Sequence, residues 1–162
     1  MNPAAEKIIA RLGLAPLPRE GGFFRQTWLS SEMGPDGRQA SSAILFLLTS
    51  AGFSALHRLR TTEELWYFHA GDPVEHVQLA PIPRVVHLGP DLLSGHTPQI
   101  TVPKNAWQGA RLADPAHGWA LLSCSLTPGW DERDFELGDR RALLAQFPGQ
   151  EGLITALTRT ES

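Results

Sequence analysis

Between Phe23 and Thr127 the chain breaks into short runs of apolar, β-branched and aromatic residues, divided every ~8–14 residues by Gly, Pro, Asn or Asp. That rhythm constrains the fold more than any other feature. A chain interrupted so often cannot sustain long helices, but it can supply many short strands, as a sandwich or barrel requires. The runs are read as strands at 23–29, 41–49, 55–60, 64–70, 74–80, 84–88, 98–103, 107–112 and 119–127. Composition agrees, with 15 glycines, 13 prolines and only 19% charged residues in 162. Helical periodicity is confined to the ends. Residues 3–12 carry a proline near the start and stop at Gly13, and Asp139 opens a run that halts at Pro148, with a weaker segment after Gly149. The expected class is all-β with short N- and C-terminal helices, in one domain over residues 1–162.

Several functions fall away at once. A single cysteine, Cys124, excludes a disulfide framework or a CxxC site, and an apolar strand around it reads as a buried, inert thiol. A net charge of −3 without a basic block is wrong for nucleic acid. The longest apolar runs, Ala43 to Leu48 and Trp119 to Leu122, are too short to span a bilayer, so no membrane role is expected. No basic segment followed by an apolar one opens the chain, which predicts a cytoplasmic location. No phosphate loop, GxSxG elbow or HExxH helix is present. The run at 41–49 is apolar on both alternating faces, and a barrel strand needs only one. Its second face must meet a helix, another sheet or a partner subunit, and a homodimer is expected.

From Gly52 the sequence places His57 five residues on, Glu64 seven beyond that, and a closing Gly71-Asp-Pro73. This resembles the first conserved motif of the cupins. The whole chain, over about residues 5–147, is similar to one branch, the cupin-5 family. The residues that carry the likeness are Glu20-Gly-Gly-Phe-Phe-Arg25, His57-Arg58, Glu64 to Pro73, Val102 to Gln108, Pro128-Gly-Trp130 and Asp134-Phe-Glu136. The resemblance implies a double-stranded β-helix, or jelly-roll, barrel with its core at about 22–137. It also implies a family often dimeric, in a superfamily that includes sugar-nucleotide epimerases. It does not imply a reaction. Metal-binding cupins usually supply a His-x-His pair and a Glu from the first motif and a third His from the second. Here Leu59 stands at the second His position, and Gln108 follows Trp107 at the third. The implied metal set shrinks to His57, Glu64 and Gln108, and a neutral amide is a weaker donor than imidazole or carboxylate. The cofactor is left open, a weakly bound divalent metal being the candidate.

His57 and Glu64 read as a dyad across the Thr61-Thr62 turn, with Glu64 hydrogen-bonded to the imidazole and tuning it for proton transfer. The competing reading is a buried polar pair that satisfies itself. Alternation puts Trp66 and Phe68 on the same face as Glu64, as aromatic walls or as core filling. Gln108 would bond a ligand hydroxyl or amide, or else be a satisfied buried amide. Arg25 is a candidate anion contact, weighed against a surface ion pair. His69 reads as structural, and His76, His87, His96 and His117 as surface histidines. Asp131, Glu132, Asp134 and Glu136 read as a mostly solvated acidic run. The leading expectation is a small-molecule-binding cupin, an epimerase or isomerase of a sugar-like or carbonyl-bearing ligand, with His57 as base. The alternatives are a metal-dependent oxygenase or hydrolase, and a non-catalytic binding or assembly protein.

Overall fold

The computed structural model describes residues 2–160. Helix α1 (Pro3–Leu12) is framed by its sequence: the Asn2 side chain accepts from Ala4 N, and Gly13 ends it at φ 63°. Eleven strands follow among the described residues: β1 (Ala15–Pro16), β2 (Phe23–Leu29), β3 (Ser42–Thr49), β4 (Ser54–Leu59), β5 (Glu63–Gly71), β6 (Val74–Gln78), β7 (Arg84–Leu88), β8 (Gln99–Val102), β9 (Gln108–Leu112), β10 (Trp119–Thr127) and β11 (Phe135–Leu137). Two short helices close the chain, α2 (Arg140–Gln146), capped by Asp139, and α3 (Glu151–Ala156). All nine expected strands are present. β1 and β11 were not expected, being too short to leave an alternating pattern.

The strands form two antiparallel sheets, ordered β1-β2-β3-β10-β5-β8 and β11-β4-β9-β6-β7. Their inner faces enclose the barrel core, built on Phe46, Leu48, Trp66, Val74, Leu88, Leu122 and Cys124. Two smaller cores lie outside it. Leu56, Val77, Leu79 and Trp107 on the outer face of the five-stranded sheet meet Leu143, Ile154 and Leu157 at the C-terminal end. On the other sheet, Leu47 is fully buried against Ala5, Leu14, Ile8 and Ile9 of the N-terminal segment. This accounts for the doubly apolar β3: its outward side chains are covered by α1, so the pattern requires no partner subunit. Among the described residues no helix is long and apolar enough to cross a membrane.

The Thr61-Thr62 segment is a corner, not a hairpin turn. β4 belongs to the five-stranded sheet and β5 to the six-stranded one. His57 and Glu64 therefore look at each other across the barrel interior instead of along one ladder.

Candidate functional site

Part of the barrel interior is left unfilled, as a cavity of 310 Å³. Its walls are apolar and largely aromatic, drawn from Phe24, Ile44, Phe46, Leu59, Trp66, Trp130 and Phe135, and its polar lining is Glu20, Gln26, Ser42, His57, Glu64 and Cys124. Arg19 and Glu132 stand at the mouth, 3.5 Å apart. A larger depression of 670 Å³ lies outside the barrel near Gly138 to Arg141. Two of its three arginines are already engaged, Arg140 with Thr158 Oγ1 and Arg159 with the carbonyls of Arg19 and Glu20.

His57 owes its orientation to an irregularity in β4. The register against β9 shifts between Ser54 and His57, so both residues turn inward although three positions apart. The ring is buried, 3% exposed, and stacks on Phe135 at 5.4 Å. Its Nδ1 lies 2.7 Å from the carbonyl of Ala55, the geometry of an Nδ1–H donor. In the neutral ring that leaves Nε2 as a bare acceptor lining the cavity. Among the described residues it has no hydrogen-bond partner. The nearest carboxylate is not Glu64 but Glu20, whose Oε2 is 3.8 Å away.

Glu20 reaches the interior because the preceding loop turns sharply. Arg19, Gly21 and Gly22 all have positive φ, and a Cβ on Gly21 would collide with the carbonyl of Phe53. The loop is fastened by Ala55 N and Arg159, which both donate to the Glu20 carbonyl. Ser54 Oγ donates to Glu20 Oε1 at 2.7 Å, which leaves Oε2 turned toward His57.

Glu64 has a different set of partners. Gln108 Nε2 donates to Glu64 Oε2, and Gln108 Oε1 receives His76 Nε2–H at 3.0 Å. Burial pushes the Glu64 carboxyl above its ordinary value and the Glu20 carboxylate adds to the push, while His57 and the Gln108 hydrogen bond oppose it. Burial likewise lowers the His76 imidazole to about 3, against its hydrogen bond to Gln108, so the ring stays neutral. The Cys124 thiol is pushed well up, first by burial and then by the two carboxylates.

Three comparisons bear on what this barrel is. The family model described as Cupin_5, Cupin superfamily (DUF985), matches residues 6–138. The chain belongs to the Cupin_5 family. A crystal structure of a protein from Shewanella oneidensis is similar at 36% identity and TM-score 0.90, over 99% of both chains. A hypothetical protein from Leishmania major is similar at 34% identity and TM-score 0.88, over 96% of this chain and 99% of that one. A cupin 2 conserved barrel protein from Rhodopseudomonas palustris, at 14% identity and TM-score 0.60 over 91% and 92%, shares the fold. No curated protein is similar enough in sequence to count as a match.

As a Cupin_5 barrel the site departs from a metal centre. Leu59 lines the cavity where the superfamily pattern has a second histidine. Gln108 lies behind Glu64 with its oxygen turned to His76, so it offers the cavity no ligand atom. Among the described residues no three His, Cys, Asp or Glu side chains are disposed to hold one metal ion. The donor set expected from sequence, His57, Glu64 and Gln108, does not fit a metal.

His57, Glu64 and Trp66 line one cavity, with no hydrogen bond between the first two. Phe68 packs into the barrel core away from the cavity. Arg25 is exposed on the outer face of β2, because its inward neighbours are Phe24 and Gln26. His76 is fully buried, not a surface histidine. Both faces of its sheet are covered, so alternation gave no outward parity to read. Asp134 is buried as well, paired with Arg38 at 3.5 Å and accepting from Thr61 N, and this fastens the segment carrying Trp130 and Phe135 over the cavity. Glu20 was legible only as part of a family motif. The signal was the glycine pair after it, which marks a tight turn.

Proposed function

We propose that the barrel cavity binds a small molecule and that His57 takes a proton from it, the step an epimerase or isomerase of a carbonyl-bearing compound needs. One observation carries this reading. The cavity-facing Nε2 of a buried imidazole has no hydrogen-bond partner among the described residues, while Nδ1 is held by the Ala55 carbonyl. A ring that served only packing would have protein atoms, not open space, at that nitrogen. Glu20 supplies the negative charge that stabilises the imidazolium once the proton arrives. Glu64, the dyad partner expected from sequence, acts through the shared electrostatics of the cavity, since its carboxylate and His57 influence each other without a direct bond.

The test is a thermal-shift screen against sugars, sugar nucleotides, nucleotides and organic acids, followed by NMR of each hit in D₂O. Protein-dependent deuterium incorporation at one carbon is expected, falling about 10²- to 10⁴-fold in His57→Gln, the usual range for a lost general base. A cavity ligand that exchanges equally fast with the variant overturns the role of His57. A screen with no hit at millimolar ligand favours the non-catalytic assembly reading instead.

A further inference from the structure

Resting on the reading of the cavity as a ligand site, we propose that its occupant carries a protonated amine, with N–H groups on Glu20 and His57 and an apolar body against the aromatic walls. The first argument is the count of hydrogens. His57 Nε2 and Glu20 Oε2 are both acceptors, and they stand 3.8 Å apart. The neighbouring donor, Ser54 Oγ–H, is spent on Glu20 Oε1, and the Gln108 amide is spent on Glu64. Two acceptors cannot satisfy each other. One atom with two or more hydrogens, placed about 2.8 Å from each, satisfies both. A primary ammonium has three hydrogens, a hydroxyl has one, and a carboxylate has none. His57 is more than nine-tenths buried, so bulk water is a poor substitute.

The second argument is charge. Glu20 and Glu64 face the cavity, while Glu132 at its mouth is exposed and offset by Arg19. The nearby cation, Arg19, is at the rim, paired with Glu132 and lying 4.7 Å over the Phe135 ring. An anion entering would meet like charges in an apolar enclosure, whereas a cation is drawn in. The walls add to the preference, because the faces of Phe24, Phe46, Trp66 and Trp130 carry the negative side of an aromatic quadrupole. At 310 Å³ the space lies at the lower end of small-molecule sites, which points to a compact amine.

The experiment compares three probes of one shape and different charge, n-butylammonium, 1-butanol and butyrate, at mildly alkaline pH. Binding is read from the His57 imidazole resonances and from thermal shift. Butylammonium is expected to bind at least about tenfold more tightly than 1-butanol, with no binding of butyrate. In Glu20→Gln the preference should fall to the level of the alcohol, while in Glu132→Gln, at the exposed rim, it should persist. If 1-butanol or butyrate binds as well as the ammonium, the amine is wrong and the cavity reading stands. If the preference survives Glu20→Gln, the seat is wrong. If no probe shifts His57 at tens of millimolar, the ligand cavity itself falls. The wild-type comparison decides the class even should the Glu20 variant fail to fold.

Discussion

His57 and His76 are both buried on the inner side of the same five-stranded sheet, one at the cavity and the other behind Trp66. The His76 ring is enclosed, with its Nδ1 buried and without a hydrogen-bond partner among the described residues. Its Nε2–H is tied to Gln108, its ring meets the Trp66 indole at 4.8 Å, and among the described residues no carboxylate contacts it. Burial therefore dominates, and the ring is held neutral. Around His57 the same sheet leaves space on one side and sets Glu20 3.8 Å away. Burial alone does not make a histidine reactive. What differs is an open volume at one nitrogen together with a carboxylate able to stabilise the charged ring.

Trp66 is the partition between these two environments, lining the cavity while its ring packs edge-on against His76. Removing it should have the largest effect. Trp66→Ala is expected to cost about 3–5 kcal/mol in urea unfolding, from lost burial and the hole left behind. It should also admit water to His76, whose NMR titration would move back toward the ordinary histidine range. A His76 that still fails to titrate in the variant would mean that something other than Trp66 isolates it.

The same contrast explains what could be read from the residues. Strand periodicity between Phe23 and Thr127 was clear because each strand presents one inward face to a single barrel core. The resemblance to the first cupin motif placed His57 and Glu64 in that interior, where both line the cavity. The hydrogen-bond partners were not legible. They depend on the register shift at Ser54 to His57 and on the crossing of β4 and β5 into opposite sheets. Both features are long-range and leave no local pattern. Glu20 comes from a loop outside the strand rhythm, fastened by Arg159 from the far end of the chain. His76 was hidden for a different reason, because outer helices bury the second face of its sheet and erase the polar–apolar alternation.

The next effect concerns pH. The His76 imidazole falls from an ordinary 6.5 to about 3 in the folded protein. Below the ordinary value the unfolded chain takes up a proton that the folded chain refuses. Stability therefore falls as pH drops through that window, by about 1.4 kcal/mol per unit from this group. In His76→Leu that contribution disappears. Its unfolding free energy should decline less steeply than the wild type's between about pH 6 and 4, even if it is lower throughout because Gln108 loses a partner. Parallel slopes in urea unfolding would show that His76 is not the isolated ring described above.

Glu64 gives the smallest expected effect, of opposite sign. Burial raises its carboxyl above the ordinary 4.5, so the folded protein keeps this proton where the unfolded chain has lost it. Its contribution to stability is full below the ordinary value and is lost as pH rises through the folded one. At neutral pH an ionised Glu64 is thus a strain on the fold. Glu64→Gln preserves the volume and still presents a carbonyl oxygen to Gln108, but it cannot ionise. The variant should be more stable than the wild type at neutral pH, with the advantage gone in acid. Thermal unfolding at the two pH values reads this directly. A variant no more stable at neutral pH would mean that the carboxylate is solvated in the cavity. One still ahead in acid would locate the gain in packing and not in charge.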